Sequence, residues 1–344
     1  MKDHPKTKFS RIFGGRSYHL ILSVIVFLSF SNLVTAQNDS SSSDDKDAPS
    51  WKPAGFLQQH TAVDDIEGSP SAFSIHRARF GFTGSLSEKI KLNFISGFVE
   101  PPDRSPALVN AFADFNFHPA FKLRSGQFLV PFGIEGPEPI TKNPAIERSF
   151  ATRQMNPYRM FRDIGMMASG KISFLNYSLA ILNGNGANLP ENTNNKDVVL
   201  RLITSPVSGL KAGVSGHLGS YDTENAEDLD QNRFAVHAHY EKESMFLRGE
   251  WTTMEEEAAA TGNMDTSNGG YFLAGYHLQN NWNLISRFGF YNPHEAPEYR
   301  GLTLGSNYFV TDRTSLSLNG EAFTQTGDFS DANYRMTFQL QFVL

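Results

Sequence analysis

The stretch of sequence that decides the fold is YRMTFQLQFVL, residues 334–344. Its even-numbered residues are large and apolar, whereas its odd-numbered residues are polar until Val343. Because side chains alternate between the two faces of a strand, this segment has one polar and one apolar face. About ten such residues, tilted, cross the hydrocarbon layer of a membrane. The segment therefore predicts a membrane-spanning strand that closes an outer-membrane barrel.

The same alternation recurs along the chain and predicts an all-β, antiparallel transmembrane barrel of about sixteen strands. The predicted strands lie near 55–63, 71–86, 88–99, 107–117, 120–128, 163–174, 176–183, 196–205, 209–219, 231–240, 245–254, 269–278, 282–291, 300–310, 314–323 and 333–344. Tight turns alternate with long loops, which is how bacterial outer-membrane barrels are built. The alternative, a soluble β-sandwich or propeller, predicts polar outward faces, whereas one face here carries pairs such as Phe115 and Phe117.

The N-terminal region differs in composition from the predicted barrel. Residues 1–36 combine basic residues, an apolar run from Leu20 to Phe30 and the triplet Val34-Thr35-Ala36, which predicts a signal peptide cleaved after Ala36. The alternative, an inner-membrane anchor, needs a longer run of about 20 apolar residues. Residues 37–50 are rich in Ser and Asp and predict a disordered leader. Residues 51–344 form the predicted barrel domain.

The amino-acid composition limits the kinds of functional site that this chain can form. Cysteine is absent, which excludes disulfides, thiolate metal ligands and a thiol nucleophile. The 29 Phe and 11 Tyr suit aromatic girdles at the two membrane interfaces. The net charge is −6, and much of the acidic excess lies in the leader and in the segments 222–230 and 255–265. The charge pattern thus predicts slightly basic strands and acidic loops.

Charged residues within the alternating segments predict which face lines the lumen. Arg77 and Arg79 share a face with Gly81 and Thr83, opposite Phe80. A cationic side chain facing the middle of the lipid costs about 2–4 kcal/mol, so both arginines are predicted to point inward. The same argument turns Lys89, Lys91, Lys122 and Arg124 inward. Two interpretations remain open: a field that attracts anions, or wall charges neutralised by acidic residues on neighbouring strands.

The connection from Leu129 to Arg162 is the longest and is unusually apolar for an exposed loop. Connections of this length are usually functional or disordered, and its apolar content argues against disorder. It is predicted to fold into the barrel, with Pro131 and Phe132 packed on the wall. The charged residues expected to face the solute path include Glu135, Arg148, Arg153, Arg159 and Arg162. Alternatively, this loop only plugs or braces the wall.

Weaker patterns suggest other chemistries. His237 and His239 alternate on one strand face, but a metal site needs a third ligand, so they are interpreted as wall histidines. The acidic run 255–257 with Asp265 is interpreted as a solvated loop rather than a site for a divalent cation. We therefore expect no metal, cofactor or nucleic-acid partner. The remaining alternatives to a passive pore are a barrel enzyme that acts on lipid and a closed structural or adhesin barrel.

Three motifs resemble those of a known family. They are RARFGFTG at 77–84, GQFLVPFG at 126–133 and RDIG at 162–165. They resemble the phosphate-selective porin O and P family of bacterial outer-membrane channels. The resemblance implies a sixteen-stranded, general or anion-preferring porin with an inward-folded loop, commonly a homotrimer, in the outer membrane of a Gram-negative-type bacterium. The solutes that it implies are small and hydrophilic, and the arginines that it places in the lumen are Arg77 and Arg79.

Overall fold

A computed structural model describes residues 49–64, 72–101, 104–189, 195–223, 228–279 and 281–344. The predicted signal peptide and nearly all of the predicted leader lie outside the described residues. The described residues form sixteen strands. These are β1 (Ser50–Asp64), β2 (Ala72–Ser85), β3 (Ile90–Glu100), β4 (Ser105–His118), β5 (Phe121–Leu129), β6 (Arg162–Ile172), β7 (Leu175–Leu182), β8 (Asp197–Thr204), β9 (Leu210–Tyr221), β10 (Leu229–Lys242), β11 (Met245–Glu257), β12 (Met264–Leu278), β13 (Trp282–Asn292), β14 (Tyr299–Thr311), β15 (Thr314–Thr324) and β16 (Asn333–Val343).

Each strand pairs with its sequence neighbours, and the sheet closes on itself. The closing pair is β1 with β16, antiparallel, in a register that runs from Phe56 opposite Val343 to Asp64 opposite Arg335. Closure leaves no sheet edge, so every strand finds a hydrogen-bonding partner on both sides. The predicted fold class and the predicted position of the last strand beside the first are confirmed.

The alternation in β16 corresponds to two different environments. Met336 is 56% exposed and Phe342 is 43% exposed, whereas Gln339 and Gln341 are 5% and 8% exposed on the lumenal side. The Gln58 side-chain amide of β1 donates to Gln341 Oε1 at 2.7 Å, which gives the polar face of the closing seam a direct partner. Lipid therefore contacts the apolar stripe, and the hydrogen-bonding side chains line the interior.

The short and long connections lie on opposite rims, as predicted. The loop between β11 and β12 is much shorter than predicted, because these strands continue their ladder to Glu257 opposite Met264. The acidic run 255–257 thus belongs to a hairpin that extends beyond the apolar alternation. Apolar periodicity ends where lipid contact ends, whereas backbone pairing does not require it. This correction leaves the strand number unchanged.

Helical structure is confined to short segments. The 3-10 turns span Ile140–Lys142, Arg159–Phe161 and Phe329–Asp331, and the helix α1 spans Phe150–Gln154. None of the helices in the described ranges is long and apolar enough to cross a membrane. Three of these four segments lie in the connection between β5 and β6, so the longest loop is an ordered part of the structure.

Candidate functional site

The β5–β6 loop, residues 130–161, leaves the wall at the end of β5 and crosses to the opposite side of the barrel. The Gly133 backbone N–H donates to Ser215 Oγ on β9 at 3.1 Å. The next N–H, of Ile134, donates to Glu250 Oε2 on β11 at 2.5 Å. Gly133 has φ +69°, and a Cβ there would lie 2.5 Å from the Glu250 carboxylate. Gly133, the last residue of the GQFLVPFG motif, therefore permits the close contact between the loop backbone and Glu250.

The middle of the loop follows the wall through β11, β13, β14 and β16. Its anchors are a side-chain ion pair and three backbone carbonyls that accept from wall side chains. The contacts are Arg248 Nη1 to Glu138 Oε2 at 2.6 Å, Gln341 Nε2 to Thr141 O at 3.3 Å, Asn307 Nδ2 to Pro144 O at 2.8 Å and Arg287 Nη1 to Glu147 O at 2.8 Å. Contacts to so many strands confirm that the loop is folded inward.

The loop then fastens to β2 and returns to β6. Glu147 Oε2 accepts from Arg77 Nη2 at 3.0 Å, and Glu147 Oε1 lies 2.7 Å from His76 Nε2. Although burial raises it, the pKa of the Glu147 carboxyl is held well below its usual range by the Arg77 guanidinium and by His76. Farther on, the buried Tyr158 hydroxyl donates to Asp197 Oδ2 at 2.7 Å. Burial and Asp197 raise the pKa of Tyr158 well above its usual range.

Two charged residues of the loop hold it together internally. Arg148 Nε donates to the Glu135 carbonyl at 2.7 Å, and Glu135 Oε2 accepts from the Ser149 backbone N–H at 2.8 Å. Burial lowers the pKa of Arg148 to about 10. Glu135 is only 2% exposed, which differs from the expectation that it faces the solute path. The Glu135 carboxylate lies inside the loop because the buried Ser149 N–H needs a hydrogen-bond acceptor there.

The apolar start of the loop packs against the barrel wall. Pro131 is buried, and Phe132 packs against the core cluster that contains Phe128, Val130 and Tyr158. Phe150 of α1 stacks on Tyr299 at 3.9 Å between ring centroids, on the far side of the barrel. Aromatic packing therefore holds both the beginning of the loop and its helix α1.

A cavity of about 940 Å³ lies between this loop and strands β1, β2, β15 and β16. Eight arginines and four carboxylates line it, which is a net charge of four positive if the histidines are neutral. The arginines are Arg77, Arg79, Arg104, Arg148, Arg153, Arg159, Arg162 and Arg335, and the carboxylates belong to Asp64, Glu100, Glu147 and Glu321. Clustered charge in a confined aqueous space raises the local concentration of counter-ions.

The two arginines of the first motif are neutralised by acidic partners. Arg79 makes a bidentate pair with Glu100, with both N···O distances 2.6 Å, and Glu100 is 2% exposed. Arg77 pairs with Glu147 at 3.0 Å and also donates to Gln58. Both arginines line the cavity, but neither contributes an uncompensated charge. For these two residues the geometry matches the interpretation of paired wall charges.

The uncompensated positive charge lies mainly on the loop and at its junction with β6. In the described parts of the chain, no carboxylate lies within ion-pair distance of Arg148, Arg153 or Arg162. Arg148 and Arg162 are buried and donate to backbone carbonyls or to Asn110. Arg153 is exposed in the cavity, 5.8 Å from the Phe150 ring centroid. Arg159 lines the same cavity.

The other predicted cations lie toward the rim of short turns. Lys89 lies in the β2–β3 turn rather than in a strand, because β3 begins at Ile90, so the argument for an inward side chain does not apply to it. Lys91 lines a separate cavity of about 300 Å³ with Asp114. Arg124 forms a bidentate pair with Asp114 at 2.7 and 2.9 Å. Lys122 is exposed on β5. These cations therefore do not form one cluster with Arg77 and Arg79.

Sequence reasoning missed Glu147 as the residue that fastens the loop to the wall, and it missed the contribution of His76. A bulge in β2, opposite Gln58 and Gln59, leaves His76 without a paired residue on β1. Because of the bulge, the neighbouring residues His76 and Arg77 both face inward, and His76 contacts Glu147. Strict alternation would have pointed His76 at the lipid. No period-two pattern reveals such a bulge.

These features define a class of protein, the outer-membrane porin: a closed sixteen-stranded barrel with a long loop folded into its lumen. The chain belongs to the phosphate-selective porin O and P family, whose family model matches residues 53–227.

Two solved structures share this fold, and one further protein resembles part of the chain. The anion-selective porin from Comamonas acidovorans is 12% identical, and the match covers 86% of this chain and 100% of that chain with a TM-score of 0.67. The outer-membrane channel DcaP of Acinetobacter baumannii is 10% identical, over 89% of this chain and all of that one, with a TM-score of 0.66. An uncharacterised protein of Aquifex aeolicus (strain VF5) is 30% identical over 138 residues, which are 38% of this chain and 31% of that relative. The chain thus matches about a third of that relative's length.

Proposed function

We propose that this porin forms a water-filled channel through which small hydrophilic solutes diffuse passively, with a preference for anions. The observation that carries the proposal is the cavity beside the constriction loop, with its eight arginines and four carboxylates. A net positive lining stabilises anions and repels cations along the path. Small oxyanions, phosphate among them, suit the planar donor array of guanidinium groups.

The proposed selectivity comes from the loop arginines more than from the first motif. Arg77 and Arg79 have carboxylate partners within 3.0 Å, so their field at the solute path is largely cancelled. Arg153 is exposed and has no such partner among the described residues, which makes it the best candidate for direct solute contact. Arg159, on the same cavity, is the second candidate.

The polar groups of the lumen do not favour an enzyme. Ser215 Oγ lies 3.3 Å from His237 Nε2, and Asp197 Oδ2 lies 2.9 Å from His217 Nε2. A serine nucleophile needs a single histidine that contacts both the hydroxyl and an orienting acid. Here the two contacts involve different histidines. Asp197 instead holds the loop through Tyr158, which supports a structural role.

Assembly and processing follow from the family as further proposals. We infer that the protein is a homotrimer in the outer membrane and that a signal peptide is removed after Ala36. Large apolar side chains are exposed on the outer face of the described strands, and this surface is available both to lipid and to neighbouring copies. Crosslinking of the protein in native membranes and mass spectrometry of the mature N-terminus test these two proposals.

The function is tested by reconstituting the purified protein in planar bilayers and by assaying the same sample for phospholipid hydrolysis. The proposal predicts stepwise, ohmic conductance and no release of fatty acid. A sealed bilayer together with hydrolysis would sink the channel proposal in favour of a barrel enzyme. A sealed bilayer without hydrolysis would instead favour a closed structural barrel.

A further inference from the structure

Two histidines and one carboxylate converge at the point where the constriction loop meets the wall. His60 is on β1, His76 is on β2 and Glu147 is on the loop, and one potential ligand atom from each lies within 4.8 Å of the other two. His60 is 7% exposed, and the other two side chains are about one quarter exposed. All three line the cavity of about 940 Å³, which gives an aqueous ion a path to them.

The β1–β2 bulge creates this group. It leaves His76 as an extra residue between the paired positions Ile75 and Arg77. The His76 ring then stacks on His60, with ring centroids 3.9 Å apart and planes 13° apart. Bulges next to functional sites commonly re-aim a side chain in this way.

The contact between His76 and Glu147 has the distance but not the alignment of a hydrogen bond. His76 Nε2 and Glu147 Oε1 are 2.7 Å apart, yet neither buried atom has a partner with acceptable hydrogen-bond geometry. The charge on the carboxylate still makes the contact attractive if His76 is protonated. Because the two atoms do not share a hydrogen bond, the lone pairs of both remain available to a third atom.

Neighbouring side chains orient the ligands. His60 Nε2 lies 2.8 Å from Gln339 Oε1, an acceptor, so Nε2 carries the proton and Nδ1 keeps its lone pair in the neutral ring. Arg77 occupies Glu147 Oε2 and leaves Oε1 available. Metal-ligating histidines typically donate their other ring N–H to such an oxygen, which fixes the tautomer.

We propose that His60, His76 and Glu147 bind a divalent transition-metal ion of the Zn²⁺ type and thereby fasten the constriction loop to the barrel wall. Two imidazole nitrogens and one carboxylate oxygen are a ligand set that suits Zn²⁺, with water completing the coordination. The stacked rings have to rotate for both lone pairs to reach one ion. Hard cations such as Mg²⁺ prefer all-oxygen ligands and are not expected to compete.

The surrounding charges limit the affinity. Arg77 shares the carboxylate, and the cavity around the site is net positive. A dication therefore enters the site against electrostatic repulsion, and we expect binding that is roughly micromolar and weaker than that of structural zinc sites. Access from the lumen makes the binding reversible.

The experiment titrates the metal-free full-length protein in detergent with ZnCl₂ by calorimetry, and with MgCl₂ in parallel. The matched control replaces His277 of β12, which lines a different cavity and lies 3.6 Å from Glu241. We expect one Zn²⁺ per chain, at least tenfold weaker binding in His60→Gln and in His76→Gln, and unchanged binding in His277→Gln. Conductance without zinc verifies that each variant is folded.

A second readout follows the pore itself. Zinc added to the bilayer chamber is expected to lower the single-channel current noise of the wild type, because the loop is fastened, and to leave His76→Asn unaffected. The proposal is overturned if Zn²⁺ does not bind, if Mg²⁺ binds equally well, or if His60→Gln and His76→Gln bind Zn²⁺ as tightly as the wild type. None of these outcomes depends on whether the channel prefers anions.

Discussion

Replacing Arg153 tests how the charge of the constriction loop acts on permeating ions. Arg153 is exposed in the cavity and no carboxylate of the described residues pairs with it. A unit charge about 8 Å from an ion in water contributes roughly 0.5 kcal/mol, and screening at about 0.1 M salt leaves roughly 0.25 kcal/mol. A monovalent anion is stabilised by this amount, and a monovalent cation is destabilised by the same amount.

Removal of the charge therefore changes the anion–cation difference by about 0.5 kcal/mol, which is about twofold in the permeability ratio. Arg153→Gln is expected to lower the anion-to-cation permeability ratio about twofold, and Arg153→Glu about fivefold. The assay is the zero-current potential of bilayers held in a KCl gradient. Raising the salt to about 1 M, where the screening length is about 3 Å, is expected to shrink both effects.

The matched control is the double variant Arg79→Gln with Glu100→Gln, which removes a neutral pair from the same cavity. It is expected to leave the permeability ratio within the error of the wild type. If the control moves the ratio as much as Arg153→Glu does, or if Arg153→Glu has no effect, the assignment of selectivity to the loop arginines is refuted.

Two further predictions concern stability, measured by urea unfolding of the barrel in lipid vesicles. Arg79→Gln alone leaves Glu100 buried without a partner and is expected to destabilise the barrel by about 3–5 kcal/mol. Adding Glu100→Gln to this variant is expected to restore most of the lost stability. If the double variant is as unstable as Arg79→Gln, the role of the ion pair is contradicted. Gly126 has φ +126°, and a Cβ there would lie 2.1 Å from the Ala111 carbonyl oxygen, so Gly126→Ala is expected to cost at least about 1–3 kcal/mol. The matched control is Gly216→Ala, because a Cβ at that position meets nothing within 4 Å. If the two variants lose the same stability, the backbone conformation of Gly126 does not explain the loss in Gly126→Ala.

The strands were predictable because the membrane imposes a simple rule on their sequence. A lipid-facing side chain must be apolar and a lumenal one is free to be polar, so the period of two is visible in segments such as 334–344. The rule weakens where the lipid ends, which is why it predicts a loop in the extended hairpin of β11 and β12 and a strand at Lys89.

The site was predictable only in part. The inward direction of Arg77 and Arg79 follows from the same rule, but their partners do not. Glu100 ends β3 and Glu147 lies 70 residues from Arg77 along the chain, so both pairs depend on the register of the bulged strands and on the path of the loop. Neither property leaves a periodic signal in the sequence. The partners decide which arginines remain available to a solute.

The constriction loop illustrates the same limit. Its apolar residues indicated that it packs against the wall, and its length indicated that it enters the lumen. Its individual anchors, such as Arg248 to Glu138 and Tyr158 to Asp197, join positions more than 35 residues apart. Such contacts are fixed by the closed barrel, which brings opposite walls within reach of one segment.

The central claim is that this porin is an open, anion-preferring channel. It is tested most directly by the zero-current potential of the wild-type protein in a planar bilayer with a tenfold KCl gradient. The account predicts a stable conductance whose reversal potential is displaced toward the equilibrium potential of chloride. A displacement toward the equilibrium potential of potassium would contradict the anion preference, and a bilayer that stays sealed would contradict the channel itself.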